Sequence, residues 1–135
     1  MNNRKIVLAL AAIFVTASAE AADFNLTVID GDTLRQGKDR LRLLHIDAPE
    51  THEPRCPAEL RKGKQATARL RQLIRSAWDV QLRDSGERDK YGRRLVDLYL
   101  DGKDVGDILI AEGLAVPWEP GSAAWRERRA HWCGF

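Results

Sequence analysis

The sequence is poor in residue types that mark several classes of protein. Its 135 residues include two cysteines, three histidines and one methionine, and aromatic residues make up 7%. Two cysteines far apart in the chain, with no companion cysteine, do not suggest a zinc knuckle, and the histidines lack partners at zinc-ligand spacing. We find no internal repeat and no low-complexity tract. These absences argue against a zinc-binding module and a repeat protein.

A strong charge of one sign is also missing. The chain carries 22 basic and 20 acidic residues, a net charge of +2, which falls to +1 if a segment with Arg4, Lys5 and Glu20 is removed. No global basic field therefore draws the protein to nucleic acid, so polyanion binding must come from local clusters. The 44% hydrophobic content is too high for a disordered chain. The length supports a single compact domain with its own core.

The N-terminus has the features of a targeting segment. Two basic residues precede an apolar run over residues 6–17, and small residues at 17–21 suit a signal peptidase. We predict a signal peptide over residues 1–21 and an exported chain over 22–135, periplasmic or extracellular and free of the membrane after cleavage. The apolar run is too short for a comfortable membrane span. A retained interfacial anchor is the alternative.

The predicted export determines how we interpret the two cysteines, Cys56 and Cys133. An even number of cysteines in an exported chain predicts a disulfide between them. Such a bond would tie a central loop to the C-terminal tail. Two free thiols are the alternative.

The stretch over residues 41–51, LRLLHIDAPET, organises the rest of the chain. Its apolar residues predict a buried strand, which ends at Pro49 because proline has no N–H for a sheet ladder. Arg42, Asp47 and Glu50 add charge that costs free energy unless it is paired. A guanidinium and two carboxylates at a strand–loop boundary can hold a hard cation and a phosphate. A surface ion pair is the alternative for Arg42 alone.

The order of predicted elements indicates the fold. Residue patterns predict strands over 24–29, 33–36, 40–46, 79–83 and 95–100, and a charged loop over 84–94. They also predict a helix from Pro57, a helix over 105–112 capped by Asp104, and a short tail helix capped by Ser122. Five short strands with a helix after the third predict an α+β, mainly β fold. We expect a five-stranded Greek-key barrel of the oligonucleotide/oligosaccharide-binding (OB) type with two to three helices.

Two further features have a structural and a functional interpretation. Asp30-Gly31 favours a tight turn, and the functional alternative is that Asp32, just beyond it, directs a carboxylate into a site. The basic face of the helix after Pro57 is interpreted as solvated surface, with nucleic-acid contact as the alternative. His52 lies on the loop beside Glu50 and stays open as a substrate contact.

Three separated segments together resemble the staphylococcal (thermo)nuclease family. They are DGDT at 30–33, LRLLHIDAPET at 41–51 and DKYGR at 89–93, and they match in order and at family spacing. The likeness continues through 101–115 and covers about residues 24–118. It implies calcium-dependent hydrolysis of phosphodiester bonds in DNA and RNA, with products that carry 3′-phosphates.

The resemblance also implies roles for individual residues. Asp32 and Asp47 correspond to the calcium-binding carboxylates, and Ala48 to the residue whose backbone carbonyl binds the metal. Arg42 and Arg93 correspond to the phosphate-binding arginines. Glu50 corresponds to the glutamate that acts as general base or orients water. Calcium prefers several oxygen ligands in loose geometry, which this set can supply.

The remaining correspondences concern substrate contacts. Lys90 and Tyr91 match a lysine and a tyrosine near the nucleotide phosphate. Trp118 stands where the family has an aromatic pair, and we expect it to stack on a base. The chain departs from the pattern at Ala48, which replaces a threonine, and in its shorter tail.

The sequence thus predicts a monomeric, exported, calcium-dependent endonuclease that acts on single-stranded or locally melted DNA and RNA. One alternative is a non-catalytic OB module that binds nucleic acid without cutting it, since a fold alone does not fix function. Another is an exported interaction protein that uses the basic helix over 57–76, whose binding would be strongly salt-sensitive.

Overall fold

The computed structural model describes residues 25–135, so the predicted signal peptide over 1–21 lies outside the described residues. The elements in chain order are β1 (Leu26–Asp30), β2 (Thr33–Gln36), β3 (Asp39–Leu43), β4 (Ile46–Asp47), α1 (Pro57–Ser76), β5 (Val80–Arg88), β6 (Arg94–Leu100), β7 (Lys103–Asp104), α2 (Val105–Ala111), β8 (Val116–Pro117) and α3 (Gly121–Cys133). No helix among residues 25–135 is long and apolar enough to cross a membrane.

Six of the strands form one mixed sheet. Its order is β1-β2-β3-β6-β5, with β7 paired to β6. All neighbours are antiparallel except β3 and β6, where Arg42 lies opposite Leu95 in a parallel ladder. This arrangement confirms the predicted α+β, mainly β fold of the OB type, with three helices. Within the described part of the chain, end strands β1 and β5 are not paired with each other, so the sheet does not close into a complete barrel.

The core lies inside the curved sheet and beneath α1. Its buried residues come from the sheet strands, from β4, from α1, from α2 and from the segment before β8: Val28, Leu34, Leu41, Leu43, Ile46, Leu70, Val96, Leu98, Leu100, Val105, Leu109 and Ala115. Pro57 opens α1 at a position where its missing N–H costs nothing. Helix α2 is capped as predicted, because the Asp104 side chain accepts from the N–H groups of Gly106 and Asp107.

The predicted strand over 40–46 is wrong in its extent. Strand β3 ends at Leu43, and the chain turns through His45, whose φ is 64°. Ile46 and Asp47 then pair with Pro117 and Val116 in a separate two-stranded ladder. The turn therefore carries Asp47 out of the main sheet while Arg42 stays in it.

Two other local predictions are also wrong. The predicted charged loop over 84–94 is mostly hairpin, because β5 continues to Arg88 and pairs with β6 again at Arg94. Arg94 holds the two strands together through Asp84, with Nη2 and Oδ2 2.6 Å apart. Helix α3 begins at Gly121 rather than being capped by Ser122; its N-cap residue, Pro120, forms no side-chain capping hydrogen bond.

Candidate active site

Arg42 joins the two carboxylates that the sequence singled out. Its Nη2 lies 3.4 Å from Asp32 Oδ2 and 3.2 Å from Asp47 Oδ1, and its Nη1 donates to the Leu43 carbonyl at 2.8 Å. The Arg42 side chain is 11% exposed. We call Asp32, Arg42, Asp47, Ala48 and Glu50 the site cluster.

The turn after β1 positions Asp32 firmly. The Leu43 N–H donates to the Asp32 carbonyl at 2.9 Å, and the Ala48 N–H donates to Asp32 Oδ2 at 2.9 Å. Thr33 Oγ1 donates to Asp32 Oδ1 at 3.0 Å. These bonds fix the side chain between β3 and the segment that follows β4.

Gly31, just before Asp32, is required for space. A Cβ added there would lie 2.7 Å from the Ala66 Cβ on α1 and 2.8 Å from the Ala48 Cβ. Real Cβ atoms do not approach so closely, so a larger residue would push the turn away from α1. The glycine thus permits the close packing that brings Asp32 beside Ala48.

A second ion pair supports the loop that carries Glu50. Glu59, which is completely buried, accepts at 3.4 Å from the Glu50 N–H and at 2.7 Å from the Arg55 N–H. The Arg55 guanidinium also binds the Glu59 carboxylate through its Nε and Nη2 atoms. The loop is further seated on α1 at Gly63, where an added Cβ would meet the Pro49 carbonyl oxygen at 2.7 Å. We call Arg55 and Glu59 the buried pair.

Negative charge accumulates in the site cluster. Burial first, and then the charge of Asp32, raises the pKa of Asp47 although Arg128 and Arg42 lower it. Partial burial, followed by the charges of Asp32, Asp47, Asp30 and Glu59, raises the pKa of Glu50 to about 7. Glu50 is nevertheless an exposed residue, so solvent screens this shift. The acids of the cluster outnumber the cations that neutralise them.

Arg93 lies beside the site cluster and has a carboxylate partner outside it. Its Nε donates to Asp89 Oδ2 at 2.6 Å, and its backbone N–H donates to Asp89 Oδ1 at 3.0 Å. Its Nη1 reaches Thr33 Oγ1, the neighbour of Asp32, at 3.5 Å. The Asp89 bonds therefore direct the guanidinium towards the cluster.

The predicted substrate contacts are exposed. The Tyr91 ring is 70% exposed and lies 5.0 Å from Lys90 Nζ and 5.5 Å from the Arg93 guanidinium carbon. Trp118 is 50% exposed, and its backbone N–H donates to the His45 carbonyl at 2.8 Å. Lys90 and Tyr91 thus adjoin Arg93, whereas the structure gives Trp118 no contact with the site cluster.

The structure adds residues that sequence reasoning missed. Arg128 of α3 donates from Nε to Asp47 Oδ2 at 2.9 Å. Asp30 accepts a short hydrogen bond from Thr51 Oγ1 and lies 3.5 Å from His52 Nδ1. The sequence signal for Asp30 was its place in the Asp-Gly-Asp motif. No signal distinguished Arg128 from the other arginines of its helix.

The two cysteines join the first and last helices. Cys56 and Cys133 form a disulfide, which joins the N-cap of α1 to the last residue of α3. The bond therefore attaches the helix that carries Arg128 to the helix that carries Glu59.

The donor set suits a hard divalent cation. Asp32 and Asp47 offer carboxylate oxygens, and Ala48 between Asp47 and Glu50 offers a backbone carbonyl. Within residues 25–135, no group of three or more His, Cys, Asp or Glu side chains is arranged to hold a metal ion. Oxygen donors and surplus negative charge fit calcium or magnesium better than zinc, with water and substrate completing the ligands.

Comparison with known proteins identifies the family. The family model described as "Staphylococcal nuclease homologue" matches residues 40–129. The chain belongs to this staphylococcal nuclease family. The match includes Arg42, Asp47, Glu50 and Arg93, which lie together around the site, and it also includes Arg128.

Three proteins with sequences similar to this chain have different names. "Endonuclease YncB" of Bacillus subtilis is 43% identical over 93 residues, which are 64% of this chain and 43% of that protein. "Thermonuclease" of Staphylococcus hyicus is 35% identical, over 67% of this chain and 55% of that protein. "Succinoglycan biosynthesis protein ExoI" of Rhizobium meliloti is 30% identical, over 98% of this chain and 81% of that protein. The chain thus spans less than half of the Bacillus endonuclease, and names alone do not determine its substrate.

Proposed function

We propose that this protein is an exported, calcium-dependent endonuclease that hydrolyses phosphodiester bonds of DNA and RNA and leaves 3′-phosphates. It acts as a monomer on single-stranded or locally melted substrate. The observation that carries the proposal is the Arg42 guanidinium, held within 3.4 Å of both Asp32 and Asp47. Nuclease names among the family relatives support the choice of substrate.

The acidic surplus of the site cluster supports a role for calcium. Asp32, Asp47 and the Ala48 carbonyl are the residues that would hold the ion. Bound there, calcium would neutralise charge on the substrate phosphate. Burial first, and then the charges of neighbouring acids, raise the pKa values of Asp47 and Glu50, and a divalent cation would offset the acidic charge.

The arginines bind the phosphate in this proposal. Arg42 and Arg93 approach the site from different elements, β3 and the base of the β5–β6 hairpin, so they can contact different oxygens. Guanidinium groups donate in a planar fork that matches phosphate geometry. Their fixed positive charge stabilises the charge that develops on phosphorus oxygens in the transition state.

Glu50 handles the proton of the attacking water. A water oxygen forms a bond to phosphorus and gives its proton to the Glu50 carboxylate. The bond from phosphorus to the 5′-oxygen breaks, and that oxygen leaves with a proton from solvent. The products are a 3′-phosphate and a 5′-hydroxyl.

The test is cleavage of single- and double-stranded DNA and RNA by the purified protein, with calcium and with a chelator. We expect cleavage only with calcium, faster on single strands, and end-group analysis that finds 3′-phosphates. Binding of the same oligonucleotides is measured in parallel with the Glu50→Gln variant. Binding without cleavage by the wild type would contradict the enzyme and favour a non-catalytic OB module.

A further inference from the structure

One charged side chain at the site cluster has no role in the proposed reaction. Arg128 donates from Nε to Asp47 Oδ2 at 2.9 Å, and the two side chains are 15% and 19% exposed. The other carboxylate oxygen of Asp47, Oδ1, lies 3.2 Å from Arg42 Nη2. Both oxygens of this predicted calcium ligand therefore already have a guanidinium partner.

Arg128 is presented from a docked helix rather than from a free tail. Its Nη1 donates to the Glu119 carbonyl at 2.9 Å, which holds the guanidinium at a second point. Helix α3 is anchored by the buried side chain of Trp132 and by the disulfide between Cys56 and Cys133. The ion pair with Asp47 is thus a fixed feature of the fold.

A guanidinium at this position opposes a cation on the same carboxylate. Each carboxylate oxygen has two lone pairs, so Arg128 and a metal ion can contact Asp47 together. Two positive charges on one carboxylate repel each other, and partial exposure screens this repulsion without abolishing it.

We propose that Arg128 is a built-in counter-ion of Asp47 that weakens binding of a divalent cation at the site cluster. Helix α3 thereby helps to set the calcium affinity of the protein. The inference rests on the proposed function, because it takes Asp47 as a ligand of the ion. Arg128 acts through Asp47, so it is a positioning residue rather than a catalytic one.

The test is calorimetric titration of the purified protein with calcium chloride, without nucleic acid. We expect Arg128→Ala to bind calcium about three- to tenfold more tightly than the wild type. Arg128→Lys keeps the charge and should shift the affinity less. Arg126→Ala, which removes the same charge from an exposed position of the same helix, is the matched control and should leave the affinity unchanged.

The sign of the change separates this role from a structural one, because a damaged site would bind calcium more weakly. An Arg128→Ala protein that is folded by circular dichroism and binds calcium no more tightly than the wild type overturns the inference. If, in that case, the wild type binds calcium and Asp47→Asn does not, the proposed metal site still stands and only the role of Arg128 fails. If neither the wild type nor Arg128→Ala binds calcium, the proposed calcium dependence fails and the inference fails with it.

Discussion

Two arginine–carboxylate groups, the buried pair and the site cluster, differ in their balance of charge. In the buried pair, Glu59 is enclosed and bound by the guanidinium and backbone N–H of Arg55. In the site cluster, Asp32 and Asp47 share the positive charge of Arg42, and Arg128 binds Asp47. Glu50 adds a third carboxylate, whose pKa is raised by burial and by the charges of Asp32 and Asp47. One group is neutralised from within, and the other is not.

The pKa values of the carboxylates in the two groups shift in opposite directions. Burial would raise the pKa of Glu59, but hydrogen bonds from Arg55 outweigh burial and lower it. Burial and neighbouring acids raise the pKa values of Asp47 and Glu50. A satisfied pair stabilises the fold, whereas a surplus of one charge creates an affinity for something outside the chain. We therefore expect the same residue types to stabilise the fold in one place and to act in the proposed reaction in the other.

The largest expected effect comes from removing a predicted metal ligand. Asp47→Asn should lower the rate of calcium-dependent cleavage by about a thousandfold, because it loses a charge aimed at the cation. Thermal unfolding should change little, since the variant also relieves repulsion with Asp32. Asp39→Asn, an exposed carboxylate paired with Arg94, is the control and should cleave normally. Normal cleavage by Asp47→Asn would remove Asp47 from the mechanism.

Breaking the buried pair should act on stability instead. Arg55→Ala leaves the enclosed Glu59 carboxylate without its charge partner, and we expect a loss of about 3 kcal/mol in the free energy of unfolding. Urea denaturation at pH 7 measures it. Arg61→Ala, at an exposed position on the helix that carries Glu59, should stay within about 0.5 kcal/mol of the wild type. An equally stable Arg55→Ala protein would contradict the structural role of the pair.

The two arginines of the site should separate phosphate binding from cation binding. Arg42→Ala and Arg93→Ala should each lower the rate of cleavage about a hundredfold, through lost transition-state charge. Only Arg42→Ala should change calcium affinity without nucleic acid, because Arg42 contacts Asp32 and Asp47 whereas Arg93 is paired with Asp89. Calorimetry tests this, with the exposed hairpin residue Arg88→Ala as control. A calcium response in Arg93→Ala would show that the two guanidiniums are coupled.

The smallest expected effect is on how the free energy of unfolding depends on pH, where Glu59 and Glu50 should act in opposite directions. Urea unfolding in the presence of a chelator measures it. The lowered pKa of Glu59 gives stability that is present above its unfolded value of about 4.3 and lost as pH falls through the lower folded value. The raised pKa of Glu50, about 7, gives stability that is present below about 4.3 and lost as pH rises towards 7.

Glutamine variants test whether Glu50 and Glu59 cause these two changes of unfolding free energy with pH. Glu50→Gln should flatten the decline in unfolding free energy between about pH 4.3 and 7, and Glu59→Gln should flatten the loss at acid pH. The Glu50 slope should be shallow because the residue is exposed to solvent. A decline between these pH values that persists in Glu50→Gln would assign it to another group.

The fold class was predictable because local patterns and tertiary structure agree over most of the chain. Proline marks the start of α1, and Asp104 caps α2 as its sequence position suggests. The break of the central strand at His45 was not predictable, because the apolar pattern continues through a turn with positive φ. The length of β5 was missed because cross-strand bonds such as Arg94–Asp84 stabilise a hairpin whose sequence is rich in charged residues.

The candidate site was predictable only where its residues are close in sequence or belong to a recognised motif. Arg42, Asp47 and Glu50 fall within one short segment, and the charge balance could be suspected from it. Contacts that depend on packing were hidden. Nothing in the sequence connects Arg128 with Asp47, or shows that Gly31 is needed for contact with α1.

The most direct test of the account compares one substitution at two positions, Glu50→Gln and Glu59→Gln, in calcium-dependent cleavage and urea unfolding. We expect Glu50→Gln to lose roughly a hundred- to thousandfold in cleavage rate without any loss of unfolding free energy. Glu59→Gln should lose about 2 kcal/mol of stability and still cleave at temperatures where it is folded. Full cleavage by Glu50→Gln, or inactivity of folded Glu59→Gln, would contradict the division between a structural pair and a chemical cluster.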